Sequence, residues 1–61
     1  MTLDQMDADL ARHDDFEQVS NRVGYWSRRF ALTKPTQDQT DEFDSIVAKH
    51  SKRALAVLRA G

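Results

Sequence analysis

Residues 14–31 read DDFEQVSNRVGYWSRRFA. Within this stretch Phe16, Val19, Val23, Trp26 and Phe30 are spaced three, four, three and four apart. That rhythm lays five large apolar side chains along one seam of an α-helix, across two heptads without a gap. Asp14 reads as the N-cap and Glu17 as its capping-box partner. Arg28 and Arg29 fall in the last turns, where cations complement the helix dipole. The stretch therefore predicts a helix over about 15–31, and its apolar seam needs other elements to cover it.

The flanking segments supply those elements. On the N-terminal side, Leu3, Met6 and Leu10 repeat at three and four residues, and Thr2 with Gln5 forms a capping box, so a short helix is expected over about 2–12. Continued as one rod into the second helix, this stripe would point roughly opposite to Phe16, Val23 and Phe30, at about 100° per residue. A break near His13 and Asp14 instead lets both stripes reach one core. On the C-terminal side, Pro35 biases the preceding residue away from helix, and a short link between helices favours antiparallel neighbours. Thr36 and Gln39 make another capping box. Beyond them Phe43, Ile46, Val47, His50, Ala54, Val57 and Leu58 fall within an arc of about 120° on a helix spanning roughly 36–59. Strand signals are missing: no run alternates apolar and polar with β-branched enrichment, and no Asn-Gly or Asp-Gly turn occurs. The expected fold is all-α, a small three-helix bundle in which a short N-terminal helix packs across an antiparallel helical hairpin.

Charge follows the same plan. Residues 1–17 hold six acids and one base, and residues 18–34 hold four bases. Residues 35–48 hold four acids and residues 49–61 four bases. An antiparallel hairpin sets the basic end of the second helix against the acidic start of the third, and the basic C-terminus beside the acidic first segment.

Composition narrows the function classes. The chain has 61 residues, a formal net charge of −1 and no cysteine. It is read as one small domain over residues 1–61 with a thin core of its own. Thiolate zinc sites and disulfides are excluded. Near-neutral charge gives no global pull toward nucleic acid or anionic lipid. No basic, apolar leader opens the chain, and the longest nearly apolar stretch, Ala54 to Leu58, is far short of the roughly 20 residues a membrane helix needs. A cytoplasmic location is expected.

Few residues suggest chemistry. His13, Asp14 and Asp15 are consecutive and so diverge on a helix, and no second histidine lies three or four residues from either His13 or His50, so no metal site is expected. His50 has no local nucleophile or carboxylate to work with and reads as a core histidine. No enzyme activity and no cofactor are expected. Phe16, Val19, Val23, Trp26, Phe30, Phe43, Ile46, Val47, His50, Val57 and Leu58 are the expected core or dimer interface. Opposite the seam of the second helix lie Asn21, Arg22, Tyr25, Arg28 and Arg29, a candidate surface for a partner. Gly24 beside them costs about 1 kcal/mol relative to alanine in a helix interior.

The pattern reads as a small non-enzymatic protein-interaction module, a regulator, inhibitor or adaptor acting through helix surfaces. Both hairpin helices carry broad apolar faces over a thin core, which makes a homodimer an attractive assembly. The alternative is a small nucleic-acid-associated regulator using basic faces of the second and third helices, among them Lys52 and Arg53.

Overall fold

The computed structural model describes residues 2–60. They form three helices: α1 (Leu3–Ala11), α2 (Phe16–Ala31) and α3 (Gln37–Ala60). The chain breaks between α1 and α2 at residues 12–15, so the two apolar stripes do converge on one core. α1 runs antiparallel to α2 and parallel to α3: Asp9 reaches Trp26 and Arg22, while Asp7 reaches His50 and Asp14 reaches Arg53.

Local signals explain each start. Thr2 accepts from the Gln5 backbone N–H at 3.2 Å and its own N–H donates to Gln5 Oε1 at 3.1 Å, closing the expected box. Thr36 and Gln39 close theirs at 3.2 and 2.9 Å. The cap of α2 differs from the sequence expectation by one residue. Asp15, not Asp14, accepts from the backbone N–H groups of Glu17 and Gln18, at 2.8 and 3.2 Å. Glu17 then falls at the second helical position and cannot close a capping box. Moving the cap by one residue leaves the Asp14 carboxylate free to pair with Arg53.

At the far end of α2, Lys34 turns the chain with φ of 53°, a left-handed conformation that costs a non-glycine residue about 1–2 kcal/mol. The residue before proline is already barred from the right-handed region, and Thr33 braces the turn by donating its hydroxyl to the Phe30 carbonyl at 2.7 Å.

Met6, Leu10, Val19, Trp26, Phe30, Phe43 and Ala54 form the core, with Leu3, Val23, Ile46 and Val47 packed against it. The Phe30 and Phe43 rings stack with centroids 4.5 Å apart, fixing the hairpin near its turn. Phe16, Val57 and Leu58, expected in the core or a dimer interface, are 38%, 51% and 62% exposed and stay outside the monomer core. The stacking of Phe30 on Phe43 sets the start of α2 level with Val57, so Phe16, Val57 and Leu58 meet across a cleft at the end of the hairpin, beyond the last turn of α1, which ends beside Arg53.

Charge blocks pair only in part as expected. Among the described residues the ion pairs join Asp9 to Arg22, Asp7 to Lys49 and His50, and Asp14 to Arg53. The basic end of α3 does meet the acidic first segment. None of these pairs joins α2 to α3, so the hairpin rests on its apolar seam rather than on facing charges. No helix among the described residues is long and apolar enough to cross a membrane.

Gly24 lies on the exposed side of α2, and a Cβ there would meet nothing within 4 Å. Gly24→Ala is therefore expected to stabilise the fold by about 1 kcal/mol, a rise in Tm of roughly 4–8 °C for a domain of this size. Thermal unfolding followed by circular dichroism measures it; an unchanged or lowered Tm would contradict an open helical site.

Candidate functional site

Two polar constellations stand out. The first is internal and ties α1 to the hairpin. On α1, Asp7 and Asp9 flank the Leu3–Met6–Leu10 stripe on opposite edges, one facing α3 and the other α2. A single oxygen of Asp9 accepts from both Trp26 Nε1 and Arg22 Nε, each at 2.7 Å. The indole N–H, costly to bury alone, thereby finds an ionised acceptor. Burial works to raise the Asp9 carboxyl, but the hydrogen bonds from Trp26 and Arg22 outweigh it and hold the group below its ordinary 3.8.

On the other edge, Asp7 Oδ1 takes the Lys49 ammonium at 2.8 Å and His50 Nε2 at 2.5 Å. Hydrogen bonding from Lys49, and then from His50, holds Asp7 below 3.8. The other His50 nitrogen, Nδ1, meets Arg53 Nη2 at 3.2 Å. A guanidinium has only donors, so Nδ1 accepts and Nε2 carries the hydrogen that goes to Asp7. The two hydrogens of Arg53 Nη2 go to the carbonyls of Leu10 and His13 at 3.0 and 2.8 Å, so the contact to Nδ1 is the shared branch of a three-centre bond, and Nη1 donates to Asp14 at 2.7 Å. One arginine of α3 thus braces the end of α1 and the loop after it, adding to the backbone N–H of His13, which also reaches the Leu10 carbonyl at 3.1 Å. No buried side-chain nitrogen or oxygen among the described residues lacks a partner.

His50 is the buried histidine the sequence suggests, at 4% exposure. With both ring nitrogens engaged and the ring covered, it holds α1 and α3 together and offers no open position to a substrate. Among the described residues no group of three or more His, Cys, Asp or Glu could hold a metal ion.

The second constellation is the outer face of α2. Tyr25, 43% exposed, is framed by two guanidiniums: Arg22 lies 4.3 Å from the ring centroid and Arg29 5.5 Å. Arg29 also donates to the Tyr25 hydroxyl at 3.2 Å. The ring edge meets Trp26 at a centroid distance of 5.4 Å and 83°, which couples the surface to the core. Beside Tyr25, a shallow cleft of about 530 Å³ is lined by Ser20, Asn21, Gly24, Arg28 and Arg29. Four of the five residues expected to form a partner surface, Asn21, Tyr25, Arg28 and Arg29, line this cleft. Arg22 is placed differently: its charge is committed to Asp9 and it is an internal clamp that lends only its flat face to Tyr25.

The sequence reading missed Asp7, Asp9 and the bracing role of Arg53. A helical wheel of α1 carries the missing signal for the first two, since two acids edging an apolar stripe have a polar neighbour on each side to meet. Compared with family models, curated proteins and solved structures, the chain has no match.

The lowered carboxyls fix a direction for acid stability. Their folded values lie below 3.8, so their contribution is complete above that value and is lost as pH falls through the folded values. The Tm of the wild type is expected to hold steady down to about pH 5 and then fall. An Asp7→Asn, Asp9→Asn double variant is expected to start lower at neutral pH and to lose less on acidification. Equal acid slopes for the two proteins would contradict the assignment.

Proposed function

We propose that this chain is a small non-enzymatic interaction module that binds an acidic segment of another protein through the outer face of α2. The observation that carries this reading is Tyr25: a large, exposed aromatic ring, held by Arg22 and Arg29, beside an open cleft edged by Arg28. Tyrosine and arginine are the side chains that concentrate binding energy at protein interfaces, and a ring already braced loses little freedom on binding. Gly24 leaves room for a partner backbone to approach α2 closely.

The alternative of nucleic-acid binding has less support. Polyanion binding needs several free cations converging on one groove. Arg22, Lys49 and Arg53 are each paired with a carboxylate of α1 or the following loop. The other six bases are dispersed: Arg28 and Arg29 on α2, Lys52 and Arg59 on α3, and Arg12 and Lys34 at the helix connections.

The test is capture of partners from the native source by the tagged chain, followed by affinity measurement on the purified pair. Tyr25→Ala and an Arg28→Glu, Arg29→Glu double variant are expected to stay folded and helical, with a Tm lowered by a few degrees for the lost Trp26 contact and the lost complement to the α2 dipole. Each should lose roughly 30-fold or more in affinity, the scale of a hot-spot residue. Gly24→Leu should block binding without removing a charge. Unaltered binding by all three variants would contradict the reading. Tight binding of a DNA or RNA duplex that weakens steeply with salt would favour the alternative.

A further inference from the structure

The cleft beside Tyr25 has a helical geometry of its own. Asn21, Gly24, Tyr25 and Arg28, which line it, stand at positions i, i+3, i+4 and i+7 of α2. Four residues at that spacing form the hole that receives one side chain of a second helix in knobs-into-holes packing. Gly24 lies inside the set, and with no side chain there the hole reaches down to the α2 backbone. A glycine at this point lets a second helix axis approach to about 8 Å, the short end of the helix–helix range.

The stripe continues past the cleft. Leu32, the C-cap of α2, keeps right-handed backbone angles, φ −70° and ψ −15°, and so stays on the helical path. It is 85% exposed, far more than Phe16, Tyr25, Val57 or Leu58. Asn21, Tyr25, Arg28 and Leu32 are spaced four, three and four apart, the rhythm of a second heptad seam, on the side of α2 away from the core. Tyr25 and Leu32 are one heptad apart, about 10.5 Å along the axis. A helix laid along α2 meets both with residues of its own one heptad apart.

We infer that the segment taken by the α2 face is an acidic, amphipathic α-helix lying along α2. One large apolar side chain of it sits between Asn21, Gly24, Tyr25 and Arg28, and a second packs against Leu32. The inference rests on the reading of that face given above and adds the shape of the occupant. Charge fixes the flanks of the seated side chain. Among the described residues neither Arg28 nor Arg29 meets a carboxylate, and both stand at the edge of the hole toward the C-terminal end of α2. Acids one turn from the seated side chain then face these two cations.

The test titrates the full chain into three fluorescent peptides of about 18 residues, read by anisotropy. The first carries Leu at heptad spacing with Glu one turn to either side, and is locked as a helix by a staple on its far face. The second has the same composition, shuffled so that apolar and acidic residues alternate, and no staple. The third is the first with Lys in place of Glu. The first should bind, and the other two should bind more weakly by about tenfold or more. Leu32→Ala, at an exposed position, and Gly24→Ala should each weaken the stapled acidic helix by about tenfold. Gly24→Ala should do so while raising Tm, a pairing that a folding defect cannot produce. Leu58→Asp, at the apolar end of the hairpin, should bind that peptide as the wild type does.

Equal binding of the shuffled peptide, lost in Tyr25→Ala, would overturn the helical occupant and leave the acidic-segment reading standing. So would unaltered binding by Leu32→Ala or by Gly24→Ala. Loss of the peptide by Leu58→Asp would assign it to the end of the hairpin and overturn the inference. Equal binding of the lysine helix, or no Tyr25-dependent binding of any peptide, would overturn the reading of the α2 face as well.

Discussion

The carboxylate of Asp9 accepts hydrogen bonds from the Trp26 indole and the Arg22 guanidinium, and the rest of the bundle is arranged around that contact. α1 has nine residues, too few to persist as a helix by its own hydrogen bonds in water. It contributes Met6 and Leu10 to the core, both fully buried, and the hairpin alone could not cover Trp26 without leaving its N–H unpaired. Docking α1 answers both needs. Asp9 anchors one edge of the helix on α2, Asp7 anchors the other edge on α3, and Arg53 holds the carbonyls of Leu10 and His13 at its end.

This arrangement commits three of the nine cations to the fold. Arg22, Lys49 and Arg53 serve the fold, because each meets an acid of the first seventeen residues. Arg28 and Arg29 are left beside Tyr25, which makes the outer face of α2 a compact surface rather than part of a diffuse basic field. Arg22 belongs to both regions: its Nε faces Asp9 and its plane faces the Tyr25 ring, so the candidate binding residue is positioned by the same contact that seats α1.

Helix periodicity made the architecture legible. The seam from Val19 to Phe30, the capping boxes at Thr2 and Thr36, and the opposed stripes of the first two segments each predict what is found, because they depend on contacts three or four residues apart. What escaped were consequences of length and of long-range geometry. Phe16, Val57 and Leu58 follow the periodicity perfectly well, yet they stand at the end of the hairpin beyond the last turn of α1, and no third helix covers them. The cap of α2 is Asp15 rather than Asp14, and Asp14 meets a residue 39 positions away, Arg53. Arg22 read as a surface cation because its partner lies on another helix. Asn21, Tyr25, Arg28 and Arg29 were legible as a surface, since the face opposite a core seam follows from the seam itself.

The central claim is that α1 is an integral third of the core, held by its two acidic edges, and not a loosely attached arm. Amide hydrogen exchange resolved by residue tests it most directly. The account predicts that the backbone N–H groups of Met6 to Leu10 are protected to the same free energy as those of Val19 to Phe30, all opening together in one global event. Exchange of the α1 amides at near-unprotected rates, with α2 and α3 still protected, would contradict it.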